Sequence, residues 1–163
     1  MFKWLSLGIL LFVVIILGYL TWKLPDGFLH VWVLDVGQGD AILAESPVGE
    51  WILIDGGPDS AVIKKMGEIL PFYENRIDLV IVSHPHADHL NGLLEVIKRY
   101  QVETVLMTGV KYNYGAYDEF FKLLKTRKVE VIFTDGKSDL RIGKIGMDIV
   151  YPGNLLRELV LIM

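Results

Sequence analysis

The chain has 163 residues, 52% apolar and 22% charged, with net charge −4 and no cysteine. That length suits a single domain. The missing thiol excludes a disulfide scaffold, a thiolate zinc site, an iron–sulfur cluster and a cysteine nucleophile. The mildly acidic balance gives no chain-wide attraction for nucleic acid. In chain order, the first element is the apolar run Leu5–Trp22, uncharged and bracketed by Lys3 and Lys23. Eighteen or more apolar residues in a helix match the hydrocarbon thickness of a bilayer, so residues 1–24 are expected to form a single-pass membrane anchor over 5–22. Trp4, Tyr19 and Trp22 stand near its ends, where amphipathic rings favour the interface. The exit Gly18-Tyr19-Leu20-Thr21-Trp22 has no small-x-small cleavage pattern, which disfavours a removable signal. Lys3 and the terminal amine lean toward the amino end inside, placing residues 25–163 on the extracytoplasmic side. With Lys3 and Lys23 set aside, residues 25–163 carry fourteen basic and twenty acidic side chains, a net −6.

Beyond the short joint Leu24-Pro25-Asp26-Gly27, strands and helices alternate. Phe28–Val36 reads as a strand, followed by the turn Gly37-Gln38-Gly39-Asp40. Ala41–Glu45 and Trp51–Ile54 read as hairpin partners across Ser46-Pro47-Val48-Gly49. Helical spacing runs from Ser60 to Leu70 and stops at Pro71. Asp78–Ser83 is an apolar run of the buried-strand kind, Leu90–Tyr100 a helix, Val102–Met107 a strand and Tyr117–Lys125 an amphipathic helix. Strands are further expected at Val129–Phe133, Leu140–Ile142, Met147–Tyr151 and Leu159–Ile162. The order predicts an α/β or α+β domain with a layered sheet.

Chemistry concentrates in Ser83-His84-Pro85-His86-Ala87-Asp88-His89, which holds three of the four histidines beside a carboxylate. Imidazole and carboxylate suit a divalent ion of the zinc or manganese type. On an extended segment His84 and His86 point to one side, while Asp88 and His89 enter the next helix and can face a neighbouring position. A second ion there would make a two-metal centre. Asp88 is also the candidate catalytic carboxylate; the plain alternative is that it caps the helix. His30, isolated in Leu29-His30-Val31-Trp32, reads as a packing or edge-strand residue. Lys122, Lys125, Arg127 and Lys128 read as a solvated helix end rather than a phosphate track.

Three segments together resemble the metallo-β-lactamase-fold hydrolases. These are Asp35-Val36-Gly37-Gln38-Gly39-Asp40-Ala41, Leu53-Ile54-Asp55-Gly56-Gly57-Pro58 and the histidine segment. The pattern is most similar to the branch typified by the C-terminal domain of ComEC-type competence proteins, over roughly residues 28–162. The resemblance implies an αββα sandwich with one or two divalent ions at a sheet edge. His84 and His86 would hold the first ion, Asp88 and His89 the second. Asp55 would act as a buttress behind the ligands, and Asp40 would stand near the metal edge. For both aspartates, ordinary turn chemistry next to glycine is the alternative.

The same resemblance implies a later bridging Asp and a later ligand His, whereas no histidine follows His89. Asn154–Met163 resembles the strand preceding that Asp. The chain is therefore expected to hold the first half to two-thirds of the fold, ending short at its carboxyl end. Two readings follow. One is a membrane-anchored metal-dependent hydrolase with a phosphodiester or nucleic-acid-type substrate. The other is a catalytically incomplete metal-binding protein, or one whose site a second chain completes.

Overall fold

The computed structural model describes residues 2–22, 24–110, 112–113, 115–134, 140–142 and 145–147. Helix α1 (Phe2–Trp22) carries the apolar run, and its described side chains stand exposed from Trp4 to Gly18. Among the described residues, which for α1 side chains are 4–19, no helix is long and apolar enough to cross a membrane. The expected span thus remains an inference from the sequence.

Among the described residues, the domain is built on one six-stranded sheet. Its strands are β1 (His30–Val33), β2 (Ile42–Glu45), β3 (Trp51–Ile54), β4 (Arg76–Val82), β5 (Gln101–Thr108) and β6 (Glu130–Thr134), ordered β1-β2-β3-β4-β5-β6. The first three form an antiparallel meander. From β3 onward the pairing is parallel, and each crossover carries a helix. These are α2 (Ala61–Ile69), α3 (Ala87–Arg99) and α4 (Gly115–Arg127).

Alternation along the strands sorts the core. Leu43, Leu53, Val80, Val82, Val105 and Met107 join Val62 and Met66 of α2, Leu90, Leu93 and Ile97 of α3, and Phe120 and Leu124 of α4. Ala44, Ile52, Leu79 and Leu106 form a second cluster, against which Met147 packs. A strand's period of two explains why Ile52 and Leu53 belong to different clusters. One face is therefore helix-covered. On the other, the expected second sheet is represented among the described residues by the hairpin β7 (Leu140–Ile142) and β8 (Ile145–Met147).

Several boundaries differ from expectation. The first strand is His30–Val33 rather than Phe28–Val36, because an edge strand pairs only with β2, over the register His30↔Glu45 to Val33↔Ile42. Strand β8 starts at Ile145, ahead of the expected Met147, and the remainder of Met147–Tyr151 lies outside the described residues, as does Leu159–Ile162. Helix α3 starts three residues before the expected Leu90, which matters for the site.

At the amino-terminal ends of β3 and β4, Asp78 is buried in the strand rather than exposed. Its Oδ2 accepts the Trp51 N–H at 2.7 Å, and its Oδ1 pairs with Arg76 at 2.9 Å. The Asp78 carboxylate, with Glu103 beside it, raises the pKa of the Arg76 guanidinium above its ordinary value.

Candidate metal centre

The three motif segments meet at the carboxyl ends of the parallel strands, the edge where open α/β sheets place their ligands. Asp55 follows β3 and Ser83 follows β4, and the Asp55 N–H extends the ladder to Ile81 O at 2.9 Å. The turn Asp55-Gly56-Gly57 then binds backbone to backbone on both sides. Gly56 N–H donates to His89 O at 2.8 Å, Gly57 N–H to Asp40 O at 2.9 Å, and Gly92 N–H to Gly57 O at 3.0 Å. The loop 35–40 closes in from β1 and β2. At Gly39, φ is +78° and a Cβ would lie 1.9 Å from Asp88 O, so only glycine permits that approach.

The histidine segment is the β4–α3 connection. His86 occupies the N-cap of α3 in extended geometry (φ −77°, ψ 159°). Asp88 therefore sits inside the first helical turn and is not the cap. There it faces the positive end of the helix dipole, a favourable place for a carboxylate. The helix bends the segment so that the three rings crowd together. The His84 centroid is 4.6 Å from that of His86 and 3.9 Å from that of His89, and Tyr112 stands edge-on to His86 at 5.4 Å.

Behind the rings lies a buried network centred on Asp55. Its Oδ1 accepts the Ser83 N–H at 2.9 Å. Its Oδ2 accepts both the Ser83 hydroxyl, at 2.5 Å, and His89 Nδ1, at 2.9 Å. Asp55 itself holds a left-handed backbone (φ 56°), uncommon outside glycine and typical of a position fixed by its surroundings. With Nδ1 bonded to a carboxylate, His89 keeps Nε2 free as a ligand atom, 3.8 Å from Asp88 Oδ2. Two ligand atoms bound about 2.0–2.2 Å from one tetrahedral ion lie roughly 3.4 Å apart, so this pair is near that spacing.

Among the described residues, no group of three or more His, Cys, Asp or Glu side chains forms a ready-made ion cage. The donor chemistry nonetheless fits a divalent ion: imidazole and carboxylate without thiolate, with the second nitrogen of at least one ring fixed from behind. The rings of His84, His86 and His89 thus crowd together with Asp88 beside His89, and Asp55 lies directly behind His89. Asp40 approaches through its backbone carbonyl, while the side chains of Ser83 and Tyr112 are additions that sequence reasoning did not single out. Ser83 stands next to the motif and could have been suspected. Tyr112 lies far along the chain and carries no local signal.

The other singled-out residues lie away from this edge. His30 is at the opposite end of the edge strand β1, with its Nε2 2.9 Å from Asp26 Oδ1 and its ring stacked on Trp32. The His30 hydrogen bond, helped by the Phe28 N–H, holds the Asp26 carboxyl below its ordinary pKa. Lys125 and Arg127 close the last turn of α4, where Arg127 caps Lys98 O at 2.7 Å, a helix-end arrangement.

Comparison with known proteins places the same segments in a family. The model described as Metallo-beta-lactamase superfamily matches residues 34–153. Hydroxyacylglutathione hydrolases of Xylella fastidiosa strains M23 and Temecula1 are each 29% identical over 119 residues, covering 67% of this chain and 45% of theirs. The chain thus spans about half the length of the curated relatives it matches. Among solved structures, the metallo-β-lactamase fold protein YhfI from Bacillus subtilis aligns with a TM-score of 0.52 at 21% identity, over 71% of this chain and 50% of that one. MEM-A1, a subclass B3 metallo-β-lactamase from a soil metagenome library, aligns with a TM-score of 0.50 at 19% identity, over 71% and 47%. These two likenesses speak to the fold alone.

Proposed function

Since the chain belongs to the metallo-β-lactamase superfamily, we propose that it is a metal-dependent hydrolase whose centre is His84, His86, Asp88 and His89. The observation that carries this reading is the crowding of the three histidine rings at the sheet edge, with Asp88 3.8 Å from His89 and Asp55 bonded to His89 from behind. A divalent ion held there, zinc or manganese, would supply an activated water and would polarise the bond to be cut. The chain's own part is to present imidazole nitrogens and the Asp88 carboxylate on one side, to orient His89 through Asp55, and to wall the site with Tyr112. His84 and His86 would serve one ion, Asp88 and His89 a second. Four donors are few for two ions, so further ligands would come from outside the described residues or from a second chain.

The ComEC-like pattern of the three motifs favours a phosphodiester substrate, nucleic acid included. The net −6 of residues 25–163 speaks for a small or locally bound substrate rather than a long electrostatic track. A second reading, hydrolysis of a hydroxyacylglutathione, is favoured by the name of the Xylella relatives. The apolar run 5–22, with Lys3 at its amino end, supports a single-pass anchor that leaves the domain on the extracytoplasmic side.

The test is turnover of bis-p-nitrophenyl phosphate and of a hydroxyacylglutathione by the full chain, supplied with zinc or manganese. Activity on the first, lost in His86→Ala, supports the phosphodiesterase. Activity on the second alone moves the substrate class. A folded chain that binds metal but turns over neither supports the catalytically incomplete alternative.

A further inference from the structure

Ser83 stands between two members of the site. Its hydroxyl lies 2.5 Å from Asp55 Oδ2 and 2.9 Å from His84 Nδ1. A serine hydroxyl has one proton and can donate once. A carboxylate only accepts, so that proton goes to Asp55, and the lone pairs left on Oγ accept from His84. A neutral His84 must then carry its proton on Nδ1, which leaves Nε2 bare. His89 is fixed in the same sense by its direct bond to the same Asp55 oxygen. A single buried carboxylate therefore governs two rings, one by contact and one through a hydroxyl.

We propose that Ser83 is a positioning residue that relays Asp55 to His84, locking the Nδ1–H tautomer and presenting Nε2 to the metal. The backbone reinforces the relay. The Ser83 N–H donates to Asp55 Oδ1, so the residue grips both carboxylate oxygens. The position is also suited to the task. Ser83 directly follows β4, whose parallel pairing with β3 sets the separation between residues 55 and 83. His86 lies outside this chain of bonds and is held by ring packing against His84 and Tyr112. It supplies an internal control.

The proposal rests on reading the cluster as a metal centre, and its test separates the two. The full chain in detergent, metal-free and labelled with nitrogen-15 at histidine, reports the tautomer of each ring by long-range proton–nitrogen correlation. Wild type is expected to show His84 and His89 as Nδ1–H. Ser83→Ala is expected to release His84 to a tautomer mixture while His89 and His86 stay unchanged, and to weaken zinc binding 10- to 100-fold by chelator competition. Ser83→Thr, which keeps the hydroxyl, is expected to restore both. An undisturbed amide spectrum shows that Ser83→Ala is folded. If His84 stays Nδ1–H in folded Ser83→Ala, the relay is refuted. If the tautomers follow the relay but wild type binds no zinc, the metal half of the proposal falls with the metal-centre reading and the hydrogen-bond chain stands.

Discussion

Replacing Asp55 with Asn alters little but the chemistry of one atom, yet it inverts the polarity behind the site. Asn tolerates the left-handed backbone at φ 56°, so the turn itself is spared. If the amide oxygen keeps the Ser83 N–H, the NH2 group occupies the place of Oδ2 and faces two former donors, the Ser83 hydroxyl and His89 Nδ1. Each bond to a charged acceptor contributes about 1.5–3 kcal/mol. Asp55 and His89 are both buried, so water cannot fully replace what is lost. Partial rearrangement of the hydroxyl and the ring recovers some of it, leaving an expected loss of about 3 kcal/mol. For a chain of this size that lowers Tm by roughly 6–12 °C. To accept from the amide, His89 must move its proton to Nε2, the nitrogen facing Asp88, and a protonated nitrogen cannot ligate. Zinc affinity is therefore expected to fall by at least the 10- to 100-fold typical of losing a partner behind a ligand. Thermal unfolding of the metal-free chain and chelator competition measure the two effects. A Tm change under about 2 °C with unaltered zinc affinity would refute the reasoning.

Asp78→Ala leaves the Trp51 N–H without its acceptor at the far end of the same strands, so a loss of about 1–3 kcal/mol is expected in urea unfolding, with unchanged zinc affinity. The Arg76 pair adds little, because Arg76 is half exposed. Gly92→Ala would place a Cβ 1.8 Å from Gly56 O, displacing α3 and the Asp88–His89 turn it carries. A loss of about 1–3 kcal/mol with weakened metal binding is expected, whereas Gly67→Ala on α2, with open space around it, should gain up to about 1 kcal/mol. Desolvation, with Asp118 adding to it, raises the Tyr117 phenol above its ordinary pKa of 10.0. The folded state then holds that proton more tightly than the unfolded one, so this contribution is complete below pH 10 and lost as pH rises through the folded value. Tyr117→Phe should flatten the alkaline limb of the stability profile; an unaltered limb would count against Tyr117 as its source.

The parts of this molecule that were legible in the sequence are those fixed locally. Trp51–Ile54 was readable to the residue because four apolar side chains lie between a turn and a glycine pair. The clustering of His84, His86, Asp88 and His89 was readable from their spacing. The first turn of α3 was not, because Ala87-Asp88-His89 offers no apolar periodicity. What starts the helix there is His86 as N-cap, with His89 N–H and Leu90 N–H both bonded to His86 O. Burial of Asp78 and the double grip of Ser83 on Asp55 were equally invisible. They depend on residues 27 and 28 positions apart being brought side by side by strand pairing. Those are facts of register, and no local pattern announces register.

That dependence has a consequence for how the chain acquires its chemistry. The parallel pairing Ile52↔Leu79, Leu53↔Val80 and Ile54↔Ile81 carries Asp55 to Ser83 and His89. Sliding β3 by one residue would shift Asp55 by about 3.3 Å and turn Leu53 to the wrong face of the sheet. The carboxylate would then miss both rings. On the metal-centre reading, zinc competence would act as a gauge of strand alignment: a misaligned sheet, however compact, could not orient His89. Metal uptake followed during refolding should track the slow closure of the β3–β4 crossover rather than the early formation of helices.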